Sequence, residues 1–144
     1  MSRTAEEWSR LAVSLPGWRW MPGMLSRCST DTRRAAYRWL AGPSDDRHYG
    51  HVLIVEDKHG HACRTLATLQ PGLDDLPDPD DPATAGCLLA LAGAPHRFFP
   101  TVEAWLAGAP VEGITSLGRA VIADVRDRWG RWPNVAESGR KGAE

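Results

Sequence analysis

Lysine is nearly absent from this chain: Lys58 and Lys141 are the only two, and every other basic side chain is arginine. Net charge is also small, -1 at pH 7. That excludes the global basic field of a duplex-binding domain and the strong acidity of a nucleic-acid mimic. Cysteine is scarce and odd in number, with Cys28, Cys63 and Cys87 at no framework spacing. A disulfide-stapled secreted fold is thereby excluded, and free thiols in a reducing cytosol are expected. No apolar run reaches the roughly 18 residues a membrane-spanning helix needs. The opening Ser2-Arg3-Thr4-Ala5-Glu6-Glu7 has no apolar h-region, so no signal peptide is expected. The chain lacks a phosphate-binding P-loop, a G-x-G-x-x-G turn and a G-x-S-x-G elbow. No cofactor, metal set or catalytic residue is therefore assigned, and the expectation is a protein that is not an enzyme.

What is present is tryptophan: seven, against two Phe and two Tyr. Two of them flank an arginine in Leu15-Pro-Gly-Trp-Arg-Trp-Met-Pro-Gly-Met24, with a Pro-Gly pair on each side. Pro fixes φ and Gly accepts positive φ, so the pairs read as turns. In an extended segment between them Trp18 and Trp20 share one face and Arg19 takes the other. So much aromatic area must enter a core or stack on a ligand. The arginine bias fits a GC-rich genome. It also supplies planar forks that grip phosphate or carboxylate and stack on rings.

At 144 residues the chain is one domain, expected over 1–133, with a small, polar and disordered tail over 134–144. Thr4 and Glu7 form a capping-box pattern, and Trp8, Leu11, Ala12 and Leu15 follow at helical spacing. Four strands are expected at Trp18–Leu25, Arg33–Leu40, His51–Glu56 and His61–Leu69, arranged as a meander. Gly42 to Asp46 reads as a loop, and Asp57-Lys-His-Gly60 as a hairpin turn with Gly60 left-handed. The run Val52-Leu-Ile-Val55 is apolar on both faces, as in a strand covered on both sides or one that keeps a face for a partner. After the Pro/Asp-rich stretch Gln70–Asp81, Asp81-Pro82 starts a helix that ends near Gly93. Residues Thr101–Ala107 fit a short helix or a strand, and strand is the reading taken. Ser116 caps a last helix with Leu117, Val121, Ile122, Val125 and Trp129 on one face, and Asp124 can pair with Arg128 one turn on. The fold class is α+β: an antiparallel sheet of four to six strands with about three helices mainly on one face.

Three constellations carry possible chemistry. His59-x-His61-x-Cys63 places three candidate ligands at alternate positions, with His48 or His51 nearby, and underlies an alternative reading as a small metal-dependent enzyme. The competing account is an exposed hairpin with incidental histidines. Asp74, Asp75, Asp78, Asp80 and Asp81 lack the glycine and glutamate of a calcium loop and read as a solvated linker ending in a helix cap. Apart from the three, His96 with Glu103 or Glu112 is an acid–base pair of a kind any chain this long contains. The third set, Trp18, Arg19, Trp20, Arg33, Arg34, Arg38 and Trp39, places guanidinium groups beside rings. A base stacked on such a surface gains ~1–3 kcal/mol, and arginine grips phosphate with two parallel bonds. Trp18, Arg19, Trp20, Arg38 and Trp39 are the expected ligand-binding residues, against the plain reading in which the tryptophans are core and the arginines solvated.

Two segments, Leu15-Pro-Gly-Trp-Arg-Trp-Met-Pro-Gly-Met24 and Asp81-Pro-Ala-Thr-Ala-Gly-Cys-Leu-Leu-Ala-Leu91, resemble motifs of a group of small tailed-bacteriophage proteins of hypothetical status. The resemblance covers about 20 residues and departs most from His96 to Ile114. It implies a viral origin and the bacterial host cytoplasm, and it supplies no activity or site residues. Small phage proteins without catalytic motifs often disable a host component. The expected function is counter-defence by sequestration of a nucleotide-type immune signal. The alternative is an inhibitor that binds a host enzyme or a defence protein, as anti-CRISPR proteins do. A homo-oligomer fits a sponge made of so small a chain, and no membrane or duplex partner is expected.

Overall fold

The computed structural model describes residues 3–27, 36–41, 50–57, 59–69, 75–93, 99–109 and 111–133. Cys28, Arg33, Arg34, the 42–46 loop, His48, Asp74, His96 and the 134–144 tail lie outside the described residues. The architecture is α+β, and the described residues form a four-stranded antiparallel sheet and four helices.

Helix α1 spans Ala5–Ser14. The Thr4 hydroxyl accepts from the Glu7 N–H, and the Glu7 carboxylate accepts from the Thr4 N–H, so the capping box closes. The expected first strand shrinks to β1, Leu25–Ser26. Residues 18–24 instead run irregularly beside β2 (Ala36–Ala41), with the Gly23 N–H donating to the Trp39 carbonyl and the Trp39 N–H to the Met24 carbonyl. The two Pro-Gly turns leave too little chain between them for a regular ladder. Strands β3 (Gly50–Glu56) and β4 (Ala62–Leu69) complete the meander in the order β1-β2-β3-β4. Leu53 stands opposite Arg38 on β2 and Leu66 on β4, and Val52 stands opposite Trp39 and Ala67. The hairpin turn closes with the Gly60 N–H donating to the Asp57 carbonyl.

Helix α2, Pro82–Ala92, starts at an Asp81 cap with proline in its first turn, as expected, and ends at Gly93. The stretch expected as a strand at 101–107 is helix α3, Pro100–Leu106. Two causes decide it. Pro100 sits in the first turn, where its missing N–H costs nothing. The Asp124 carboxylate, nearly fully buried, accepts from the N–H groups of Thr101 and Val102 and so caps α3 from a neighbouring helix. Helix α4, Leu117–Arg128, starts at Ser116 and is buried on more than one face. It packs against α1, α2 and α3.

One face of the sheet supplies Tyr37, Trp39 and Val52 to a core shared with Trp8, Ala12, Leu88, Leu91, Phe99, Val102, Val121, Ile122, Val125 and Trp132. Gly118 lets α4 touch the 79–81 turn, because a Cβ there would run into the Pro79 carbonyl. Gly118→Ala gains up to ~1 kcal/mol of helix propensity, but the backbone clash is expected to cost about 1–3 kcal/mol. A lower urea midpoint for Gly118→Ala is the expected outcome; an unchanged or higher one contradicts this packing.

Candidate functional site: the open face of the sheet

The aromatic–arginine set does not form one surface. Trp39 is 0% exposed. Trp18 and Trp20 are half-buried, with ring centroids 5.7 Å apart at 76°. The contacts continue from Trp18 to Trp132 at 5.9 Å, from Trp20 to Trp39 at 5.5 Å, and from Trp39 to Tyr37 at 5.4 Å. Edge-on and tilted ring pairs of this kind add about 0.5–1.5 kcal/mol each beyond the area they bury. The tryptophans therefore interlock the 18–20 segment, β2 and the chain after α4. Trp39 offers no face to a ligand, which corrects its expected place in a binding surface.

Arg38 is corrected for a different reason. Its guanidinium donates to both Asp81 carboxylate oxygens at 2.9 Å and to the Gly23 carbonyl at 2.8 Å. Asp81 Oδ2 also accepts from the Thr84 N–H and hydroxyl, and the Thr84 hydroxyl accepts from the Leu25 N–H. Burial alone would raise the Asp81 carboxyl; the Arg38 and Thr84 hydrogen bonds outweigh it and hold the group below the usual carboxylate range. The Cys87 thiol, pushed up by burial and by Asp81, lies 3.2 Å from the Pro22 carbonyl. The Pro-Gly-Met and Asp-Pro-Ala-Thr segments are thus neighbours, joined by side chains of Arg38, Thr84 and Cys87 that hydrogen-bond backbone groups of residues 22–25.

The acidic stretch behaves alike. Asp80 receives two 2.9 Å bonds from Arg119, and Asp78 lies 3.6 Å from Arg27. These carboxylates face arginine forks, and no calcium geometry results. The histidine–cysteine set does not converge. His59 lies in the turn, and His61 is 3.5 Å from Asp57. The Cys63 thiol turns to the Ile54 carbonyl at 3.5 Å, and His51 is exposed on β3. Among the described residues no group of three His, Cys, Asp or Glu side chains could hold a metal ion.

Among the described residues no element packs over the other face of the sheet. Strand alternation puts Arg38 and Leu40 of β2, His51, Leu53 and Val55 of β3, and Arg64, Leu66 and Thr68 of β4 on it. Leu66 is 73% exposed and Leu40 46%. Arg38, Leu53, Val55, Ala62, Cys63 and Arg64 line a shallow open groove of about 630 Å³ across its middle. The Arg38 charge is balanced by Asp81. Arg64 is exposed and has no ion-pair partner among the described residues. The site is therefore an apolar stripe with one cation, Arg64, that has no ion-pair partner among the described residues. Its trace in the sequence is the doubly apolar run Val52–Val55: Val52 enters the core, and Leu53 and Val55 lie half-buried on the other side.

Comparison with models of known protein families, with curated proteins and with solved structures returns no match to this chain. No helix among the described residues is long and apolar enough to cross a membrane.

Proposed function

We propose that the chain is a non-enzymatic binding protein of phage origin, acting in the bacterial cytoplasm, which disables a host defence protein by holding it on the open face of the sheet. The observation that carries this reading is the row Leu40, Leu53, Val55 and Leu66, over which no described element packs, on a sheet whose opposite face gives Tyr37, Trp39 and Val52 to the core. An apolar patch rimmed by charge is the usual mark of a protein-binding surface on a soluble domain. The complementary partner presents an apolar ridge with a carboxylate placed for Arg64.

Capture from a host lysate, identification of the retained protein and reconstitution with purified components test the reading. Leu40→Asp and Leu53→Asp are expected to weaken the reconstituted complex at least a hundredfold, since an unpaired buried carboxylate costs about 3 kcal/mol or more at an interface. Circular dichroism and melting confirm that each variant is folded. Undiminished binding by both variants refutes the proposed surface.

One observation keeps nucleotide sequestration as a second reading: Arg19, which lies in the sequence between the half-buried Trp18 and Trp20, is exposed and has no ion-pair partner among the described residues. The test is incubation with cyclic dinucleotides and cyclic ADP-ribose variants, followed by heat release. Intact ligand recovered from the native chain and lost from Trp20→Ala supports it. Release of degraded product points to an enzyme, and failure to bind removes the idea.

A further inference from the structure

The two edges of the sheet are treated differently. Beyond β1 the connection to α2 closes the edge: Ser26 bridges Pro77, the Arg27 N–H donates to the Leu76 carbonyl, and the Asp78 N–H donates to the Leu25 carbonyl. Beyond β4 no described segment pairs. This free edge is eight residues long, Ala-Cys-Arg-Thr-Leu-Ala-Thr-Leu, with Arg64 its only charge and no proline or lysine. A bulge interrupts its first half, where Ala62 to Thr65 face Ile54 to Glu56, and residues 65–69 form the regular part; such a stretch lacks the proline and lysine that protect edges, and its row of outward N–H and C=O groups templates another strand.

We propose that two copies of the chain join along β4, antiparallel about a twofold axis through Leu66, into one continuous eight-stranded sheet. The argument for a second copy is self-complementarity, and charge selects the register. A twofold axis perpendicular to the sheet pairs residues that share a face, so it passes through one residue of β4. Through Thr65, the two Arg64 charges would stand roughly 8 Å apart, given ~3.4 Å per residue and ~4.8 Å between strands. Through Leu66, each Arg64 faces Thr68 of the other copy, and the two charges are roughly 14 Å apart, beyond the ~8 Å screening length at physiological salt. The same register sets Leu66, the most exposed large apolar side chain described, against its own equivalent. On the opposite face Thr65 meets Ala67, two small side chains that pack without obstruction. The two open faces then lie side by side as one platform. The inference rests on the edge and stands whether or not the face binds a host protein.

Sedimentation of the native chain tests it. The expected species has twice the 15.8 kDa chain mass. Leu66→Lys, which sets two ammonium groups against each other at a well-exposed position, is expected to return the mass to that of one chain without loss of fold. In a Cys28→Ser, Cys63→Ser, Cys87→Ser background, Leu66→Cys is expected to cross-link on oxidation, since directly opposed residues bring Cα atoms to about 4.5–5.5 Å, within disulfide reach. Thr68→Cys, roughly 14 Å from its equivalent in this register, is expected not to. A native chain that stays single at high micromolar concentration overturns the proposal. So does a dimer that Leu66→Lys leaves intact, or cross-linking at position 68 and not at 66. None of these results bears on Leu40→Asp or Leu53→Asp in the partner assay.

Discussion

Trp132→Ala is expected to lower the unfolding free energy by about 3–5 kcal/mol, and Tm by roughly 10–20 °C for a domain of this size. The indole is 0% exposed, and its Nε1–H donates to the Ala12 carbonyl at 2.8 Å. Its backbone N–H donates to the Pro16 carbonyl at 2.7 Å. Ala12 lies in the last turn of α1, where a helix leaves carbonyls without internal partners. Truncation therefore opens a cavity beside Trp18, orphans a carbonyl and releases the contact between the two ends of the domain. Trp132→Phe keeps most of the volume and loses the hydrogen bond, so its cost should be the smaller. Equal melting of Trp132→Ala and the native chain would contradict the packing described.

Asp81→Ala is expected to cost about 2–3 kcal/mol. An N-cap aspartate contributes about 0.5–2 kcal/mol; the partly exposed ion pair adds a smaller, solvent-screened amount. The Arg38 guanidinium and the Thr84 hydroxyl also lose an acceptor. The pH dependence has a definite sign. Asp81 titrates lower in the folded chain than in the unfolded one, as does Asp80, where Arg119 and Ser116 outweigh burial. The unfolded chain therefore takes up protons first, and the stability they supply is full above the ordinary carboxylate value of about 4 and falls as pH drops through the folded values. Urea melts of the native chain and Asp81→Asn should differ most near neutral pH and converge in acid. A gap that widens on acidification would contradict the assignment.

The parts of this fold legible in the sequence are those governed by local chemistry. Thr4 with Glu7, Asp81 with Pro82, and Ser116 each announce a helix start that the structure places at the same residue. The 57–60 turn was equally plain. Non-local partners were not. Residues 101–107 alternate well enough for a strand, and the buried carboxylate that settles them as helix comes from Asp124, more than twenty residues on. Arg38 looked like a phosphate ligand because its true acceptor, Asp81, is 43 residues away. Trp39 looked like part of a stacking platform because tryptophan spacing does not tell a surface ring from a core ring. The open face was half-visible: Val52–Val55 is apolar on both sides, but only the register with Arg38 and Leu66 shows which side is bare.

The most direct test of the central claim is hydroxyl-radical footprinting of side chains in the reconstituted complex. If the open sheet face holds the partner, labelling of Leu40, Leu53 and Val55 falls on binding while that of Trp18 and Trp20 is unchanged. Protection confined to Trp18 and Trp20, with the β3 side chains labelled as in the free chain, would contradict it.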